Sequence, residues 1–188
     1  MILFIPKYFI KVDIMSKSKA YPIVLVGVFV AIISICAWIS IPMVPIPITL
    51  QILGVFITAS ILGAKLGTVS IIIYILLGAV GLPVFSNFTG GFGILLSPTG
   101  GFIIGFIFTA LTIGIITSFK NSILTNTLAM LLGLLLCYTF GTIWYCFYAG
   151  VDFITAVLFC VVPFLIGDSV KICISAILVT KLKKHIKI

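Results

Sequence analysis

Two charged residues interrupt an apolar run near the C-terminus: Asp168 and Lys171, in PFLIGDSVKI. A charge inside a membrane-spanning helix costs about 2.5–3.5 kcal/mol on insertion scales, and persists mainly where it faces a cavity or a partner. The i, i+3 spacing puts both on one helical face. Two uses suit such a pair. It could neutralise itself and hold its helix to the neighbours. Or it could form a substrate site, with the carboxylate accepting from an N–H at one end of a ligand and the ammonium taking a carboxylate at the other. Asp168 sits near the outer end of its span, so such a site would open outward.

A second cluster is the stretch GLPVFSNFTGGFGILLSPTGG, residues 81–101. It is rich in glycine yet carries Phe85, Phe88 and Phe92, which a plain flexible linker would not need. Gly90 and Gly91 would let the backbone approach a ligand closely. The aromatics with Asn87, Thr89, Ser97 and Thr99 offer an apolar wall with a few polar contacts. Composition is equally compatible with a lid over a ligand and with a plug in the bundle top. No phosphate-binding GxxxxGK[ST] pattern is present.

Small residues form a third set: Gly27 and Ala31, Gly63 and Gly67 around Lys65, and Gly101 and Gly105. This spacing permits close helix approach, usually for internal packing and less often for another membrane subunit. Gln51 and Tyr74 are polar groups within apolar runs. Trp144, Tyr145 and Tyr148 fall where an outer interfacial belt is expected, with ligand stacking as the second reading.

Other chemistry has little to work with. The cysteines, Cys36, Cys137, Cys146, Cys160 and Cys173, are odd in number, lack CxxC spacing and lie in or beside apolar segments. They read as small buried apolar residues. The single histidine, His185, stands in a lysine-rich tail, so neither a zinc site nor any cofactor is expected. The acids are only Asp13, Asp152 and Asp168, too few for an intramembrane acid–base or metal enzyme.

The elements that must position these groups follow from composition. Of 188 residues, 63% are hydrophobic and 7% charged, with a mean hydropathy of +1.48. Soluble domains carry about 25% charged residues, so a water-soluble globule is excluded. The apolar residues come in long runs, which indicates helices rather than an alternating barrel. The predicted architecture is an all-α integral membrane protein with six transmembrane helices. The whole chain reads as a single membrane domain, with a basic N-terminal segment (1–20), a six-helix bundle (21–180) and a basic tail (181–188).

The spans are predicted at Pro22–Ile41, Ile48–Ala64, Leu66–Leu82, Gly100–Phe119, Ile123–Phe147 and Pro163–Thr180. Spans 2 and 3 are joined by a tight turn at Lys65. The proline-rich PMVPIP (42–47) reads as a stiff extended loop. Ala149–Val162 either begins the last span or forms a short amphipathic helix outside it; Pro163, suited to a first turn, favours the second. Residues 1–10 are too short to span and do not resemble a cleaved signal peptide. Met15 is an alternative start. No internal repeat supports an inverted-repeat transporter.

All eleven cations are lysines. With six spans, ten of them (7, 11, 17, 19, 65, 120, 181, 183, 184 and 187) fall on one side and none on the other; Lys171 lies within a span. That asymmetry is the positive-inside pattern and predicts both termini in the cytoplasm. The +8 charge is therefore a topology signal and implies no nucleic acid.

The stretch from Ile39 to Phe106, with GLPVF, a glycine-rich run and SPTGGF, resembles the BioY family, and PFLIGDSVK (163–171) resembles the start of that family's last helix. The match runs from about Tyr21 to Lys181. BioY proteins are the biotin-specific substrate-binding subunits, or S components, of energy-coupling factor transporters. The resemblance implies six membrane helices, a biotin pocket near the outer face, a location in the cell membrane, and a partner module of a transmembrane coupling protein and two cytoplasmic ATPases. It points to Asn87 and Asp168 for the ureido ring and to the loop phenylalanines for the apolar wall. Lys171, by charge, is the candidate for the valerate carboxylate. The helix-1 contact with the coupling protein, usually AxxxA, reads Gly27-x-x-x-Ala31 here. The competing readings are an S component for another small vitamin, an intramembrane enzyme and a holin-like protein. Only the first of these explains the charged pair and the patterned loop.

Overall fold

The computed structural model describes residues 20–185. The basic segment with Lys7, Lys11, Lys17 and Lys19, the alternative start Met15 and the last tail lysine, Lys187, lie outside the described residues.

The chain is mostly helical. Helix α1 spans Tyr21–Trp38, with Pro22 in the first turn, where its missing N–H is no loss. The proline-rich stretch that follows is not merely extended. Its flanks pair as a short antiparallel ribbon, β1 (Ser40–Ile41) with β2 (Ile48–Thr49), in register Ser40 to Thr49 and Ile41 to Ile48.

Two helical halves follow one another directly over Gln51–Ala79, together α2, and Gly63 separates them with φ 74° and ψ −176°. The two halves fold back on each other. Gln51 Nε2 donates to Tyr74 Oη at 2.9 Å, although they are 23 positions apart. A straight helix would hold residues that far apart by about 35 Å. Gly67 packs on Ala59 so closely that a Cβ would stand 3.0 Å from its Cα. The turn thus falls at Gly63, two residues before Lys65, because only glycine adopts this backbone without strain.

The glycine-rich stretch is more structured than a loop. It holds a 3₁₀ turn at Ser86–Phe88 and the short helix α3, Phe92–Leu95. Helix α4 spans Gly100–Phe119 and α5 spans Ile123–Ala149. Ser122 caps α5, accepting from the Thr125 N–H at 3.1 Å, and Gly150 ends it in the left-handed region. A separate short helix, α6 (Phe153–Cys160), is capped by Asp152. A turn at Val162–Phe164 containing Pro163 divides it from α7, Leu165–His185.

Among the described residues, five helical runs are long and apolar enough to cross a membrane: α1, α2, α4, α5 and the α6–α7 stretch. Their outward faces are apolar; Ile23, Leu76, Leu135 and Ile174 are all well exposed. A polypeptide with this surface is a multi-pass membrane protein. Inside, α2 packs on α4, α4 on α5 and α1 on α2, while α7 closes against α2 and α5. Ile33, Phe56, Ile71, Ile113, Met130 and Val179 fill the common core.

Candidate functional site

Asp168 falls in the first turn of α7, where the partial positive charge of a helix start favours a carboxylate. One turn on, Lys171 Nζ lies 2.7 Å from Asp168 Oδ1. From α5, Tyr138 donates its hydroxyl to Asp168 Oδ2 at 2.7 Å. The charged side chains are only 6% (Asp168) and 8% (Lys171) exposed. The cluster has donors to spare and lone pairs to spare. Each carboxylate oxygen can accept a further bond, and two ammonium donors remain after the one given to Asp168.

These groups line one cavity enclosed by α2, α4, α5 and α7. Ile52, Phe85, Phe102, Phe106 and Phe164 supply its apolar walls, and Ile46, Pro47 and Thr49 close the side of the proline-rich arm. The free space is about 70 Å³, whereas pockets for drug-sized ligands measure about 300–1,000 Å³. A ligand of vitamin size therefore has to part these walls.

Phe85 is the loop residue that reaches inside. It is 1% exposed and stands edge-on to Tyr74, ring centres 5.5 Å apart. Gly78 makes this possible, since a Cβ there would lie 2.1 Å from Phe85 Cζ. Tyr74 in turn receives a bond from Gln51 and donates to the Val84 carbonyl at 2.9 Å. Gln51 also lines the cavity. The relay Gln51–Tyr74–Val84 thus fixes the backbone just before Phe85.

Of the other loop residues singled out by sequence, Thr99 also lines the cavity, whereas Asn87, Phe88, Phe92, Gly90 and Gly91 lie outside its walls. Asn87 is exposed, has φ 56°, and accepts from Ser40 Oγ at 2.7 Å. Phe88 also has φ 56° and stacks on Trp38 at 5.0 Å. Phe92 is exposed at the start of α3. Gly90 presses against the Leu82 carbonyl, where a Cβ would come within 2.3 Å. Gly91, at φ 106°, donates its N–H to the Gly78 carbonyl at 2.7 Å. These two glycines close the loop on itself and on α2. Ser97 accepts from Trp144 Nε1 through its carbonyl at 2.9 Å, which ties the indole to the loop.

Sequence reasoning assigned no role to Tyr138. One signal was available: a phenol in the middle of the α5 apolar run, far from either interface, needs a buried partner. Among the small-residue pairs, Gly101 faces Trp144 and Gly105 faces Cys137 across α4 and α5. Gly27 and Ala31 instead lie exposed on α1, with nothing within 4 Å of the position a Gly27 Cβ would take.

The BioY family model matches residues 10–188. The "Biotin transporter BioY" of Thermotoga maritima is 42% identical over 158 residues, covering 84% of this chain and 93% of that protein. A "Probable biotin transporter BioY" from Pyrococcus horikoshii is 40% identical over 165 residues, covering 88% and 98%. Among solved structures, the S component for biotin from an ECF-type ABC transporter superposes with a TM-score of 0.81 at 28% identity, covering 88% of this chain and 92% of that one.

Proposed function

The chain belongs to the BioY family, and on that premise we propose that it is the biotin-binding and uptake subunit of an energy-coupling factor transporter. The observation that carries the reading is the Tyr138–Asp168–Lys171 cluster, buried in a cavity between membrane helices beside Phe85. Biotin offers groups that match it: ureido N–H donors, an apolar ring and tail, and a carboxylate. Asp168 accepts from the ureido N–H. Lys171 takes the carboxylate, and Phe85 supports the apolar part. Asn87, Phe88, Phe92, Gly90 and Gly91 belong to the rim that the ligand parts on entry, with Asn87 the amide partner of the ureido ring once the loop yields.

The fold-back at Gly63 supports counting the two halves of α2 as separate spans. Six crossings then put the ten lysines on the cytoplasmic side with both termini, and the site opens outward in the plasma membrane. The whole chain is one membrane domain. The relatives it matches are named transporters, which supports a role other than that of an enzyme; the chain carries no ATP-binding motif, so a transmembrane coupling protein and two cytoplasmic ATPases supply the energy. Gly27 and Ala31, exposed on α1, form the coupling-protein contact. The reading is tested with detergent-purified protein offered biotin, thiamine and riboflavin. Selective retention of biotin is expected. Equal or stronger retention of another vitamin would point to a different S component.

A further inference from the structure

A second cavity, of about 440 Å³, opens at the opposite end of the bundle. Ser60, Gly63, Thr117, Lys120 and Lys183 contribute to its walls. Three features of that wall belong together. The first is a pair of ammonium groups. Lys183, half-buried, donates to the Thr117 carbonyl at 3.0 Å and keeps two further donors. Lys120 is exposed and lines the same cavity. No carboxylate balances them among the described residues, for Asp168 is paired with Lys171 and Asp152 caps α6.

The second feature is a pair of stranded hydroxyls. Ser60 is 0% exposed and Thr117 2% exposed, yet neither Ser60 Oγ nor Thr117 Oγ1 has a hydrogen-bond partner. Buried hydroxyls are nearly always paired, and each exception calls for an explanation. Third, the second half of α2 starts at this cavity, directly after Gly63, and contributes the partial positive charge of a helix start. Cations, hydroxyl donors and a helix start converge here; the first half of α2 and α4 also end at this cavity, where Lys183 meets the Thr117 carbonyl in the last turn of α4.

We propose that this cavity binds a phosphate-type oxyanion, either a lipid phosphate headgroup or free phosphate. Lys183 and Lys120 neutralise its charge, and the Ser60 and Thr117 hydroxyls turn to donate to its oxygens. Such an anion would tie the Gly63 turn to the ends of α4 and α7, three elements that meet at this end of the bundle.

Purified protein in neutral detergent is titrated with inorganic phosphate by calorimetry. In parallel, native mass spectrometry compares retained phosphatidylglycerol with phosphatidylcholine. Lys183→Gln should weaken anion binding about tenfold or more, since it removes a charged donor. Thr117→Val, which keeps the shape, should weaken it about threefold. Lys65→Gln removes the same charge from an exposed position outside the cavity and should leave binding unchanged. Size-exclusion elution and helical circular dichroism check each fold, and Thr117→Val carries the test should Lys183→Gln misfold. A preference for phosphatidylglycerol that depends on Lys183 identifies a lipid headgroup. Phosphate binding without lipid preference identifies the free ion. The proposal fails if neither probe binds, or if Lys65→Gln weakens binding as much as Lys183→Gln.

Discussion

The start of α7 and the glycine-rich loop both looked like ligand-binding elements, and the structure treats them differently. Asp168 and Lys171 are carried on a regular helix, and helical periodicity alone brings them to one face. The loop has no such periodicity. It contributes Phe85 and Ser86 near its start and Thr99 at its end to the cavity, while Asn87, Phe88 and Phe92 point elsewhere. What decides this is tertiary contact: Gly78 making room for Phe85, Trp38 stacking on Phe88, and Ser40 holding Asn87. Charge position on a helix can be read locally, whereas loop direction depends on partners distant in the chain.

On the proposed reading, α7 is the energetic centre of the site and most of the loop its cover. The largest effect should come from splitting the buried pair. Lys171→Met leaves Asp168 without its counter-ion, and removing one partner of a buried ion pair costs about 3–5 kcal/mol. Thermal unfolding in detergent should register a large drop. The double variant Asp168→Leu/Lys171→Met should recover most of that stability, because buried pairs are often replaced by apolar residues at little cost. It should nonetheless bind no biotin. A double variant that still binds would assign the pair a structural task only.

Next comes the one deep anchor of the loop. Gly78→Ala places a methyl where the Phe85 ring lies, and overpacking of this kind costs about 1–3 kcal/mol. Both stability and biotin affinity should fall, and Phe85→Leu in the same background should restore part of each. Failure of that rescue would show that Phe85 is not the contact that matters.

A smaller change is expected at the rim. Asn87→Ala removes the bond from Ser40, worth about 0.5–1.5 kcal/mol, and places alanine at φ 56°. Biotin affinity measured by calorimetry should fall about threefold. A loss as large as that expected for Asp168→Asn would move the centre of the site into the loop. The least effect on binding belongs to α1. Gly27→Trp alters an exposed face with open space beside it, so biotin affinity should stay at the parental level while cellular uptake drops. Equal loss of both would make Gly27 a packing residue of the bundle.

Much of this was legible in the sequence, and the rest was hidden for identifiable reasons. The apolar runs mark α1, α4 and α5 to within a few residues, because membrane helices are long and their ends carry lysine, proline or glycine. The turn inside α2 was placed at Lys65 by its charge, but the backbone requirement falls on Gly63. The ribbon flanking PMVPIP was hidden, since two-residue strands leave no alternation to detect. In the site, Asp168, Lys171 and Phe85 were named from sequence and share one cavity. Tyr138 was not, because nothing local relates it to a carboxylate 30 positions away. Which of three phenylalanines turned inward was equally invisible, being settled by a glycine on another element.

The central claim is that Asp168 binds ligand and does not merely balance Lys171. Asp168→Asn isolates this, because the amide oxygen can still accept from Lys171 and the amide N–H₂ can donate to Tyr138. Titration of the purified variant with biotin by calorimetry is the direct measurement. Loss of a bond to a charged group, about 1.5–3 kcal/mol, predicts affinity lower by about ten- to a hundredfold, with the same shift for biotin amide, which keeps the ureido ring and lacks the carboxylate. An Asp168→Asn protein that binds biotin as tightly as the parent would contradict the claim and leave the pair as a structural clasp.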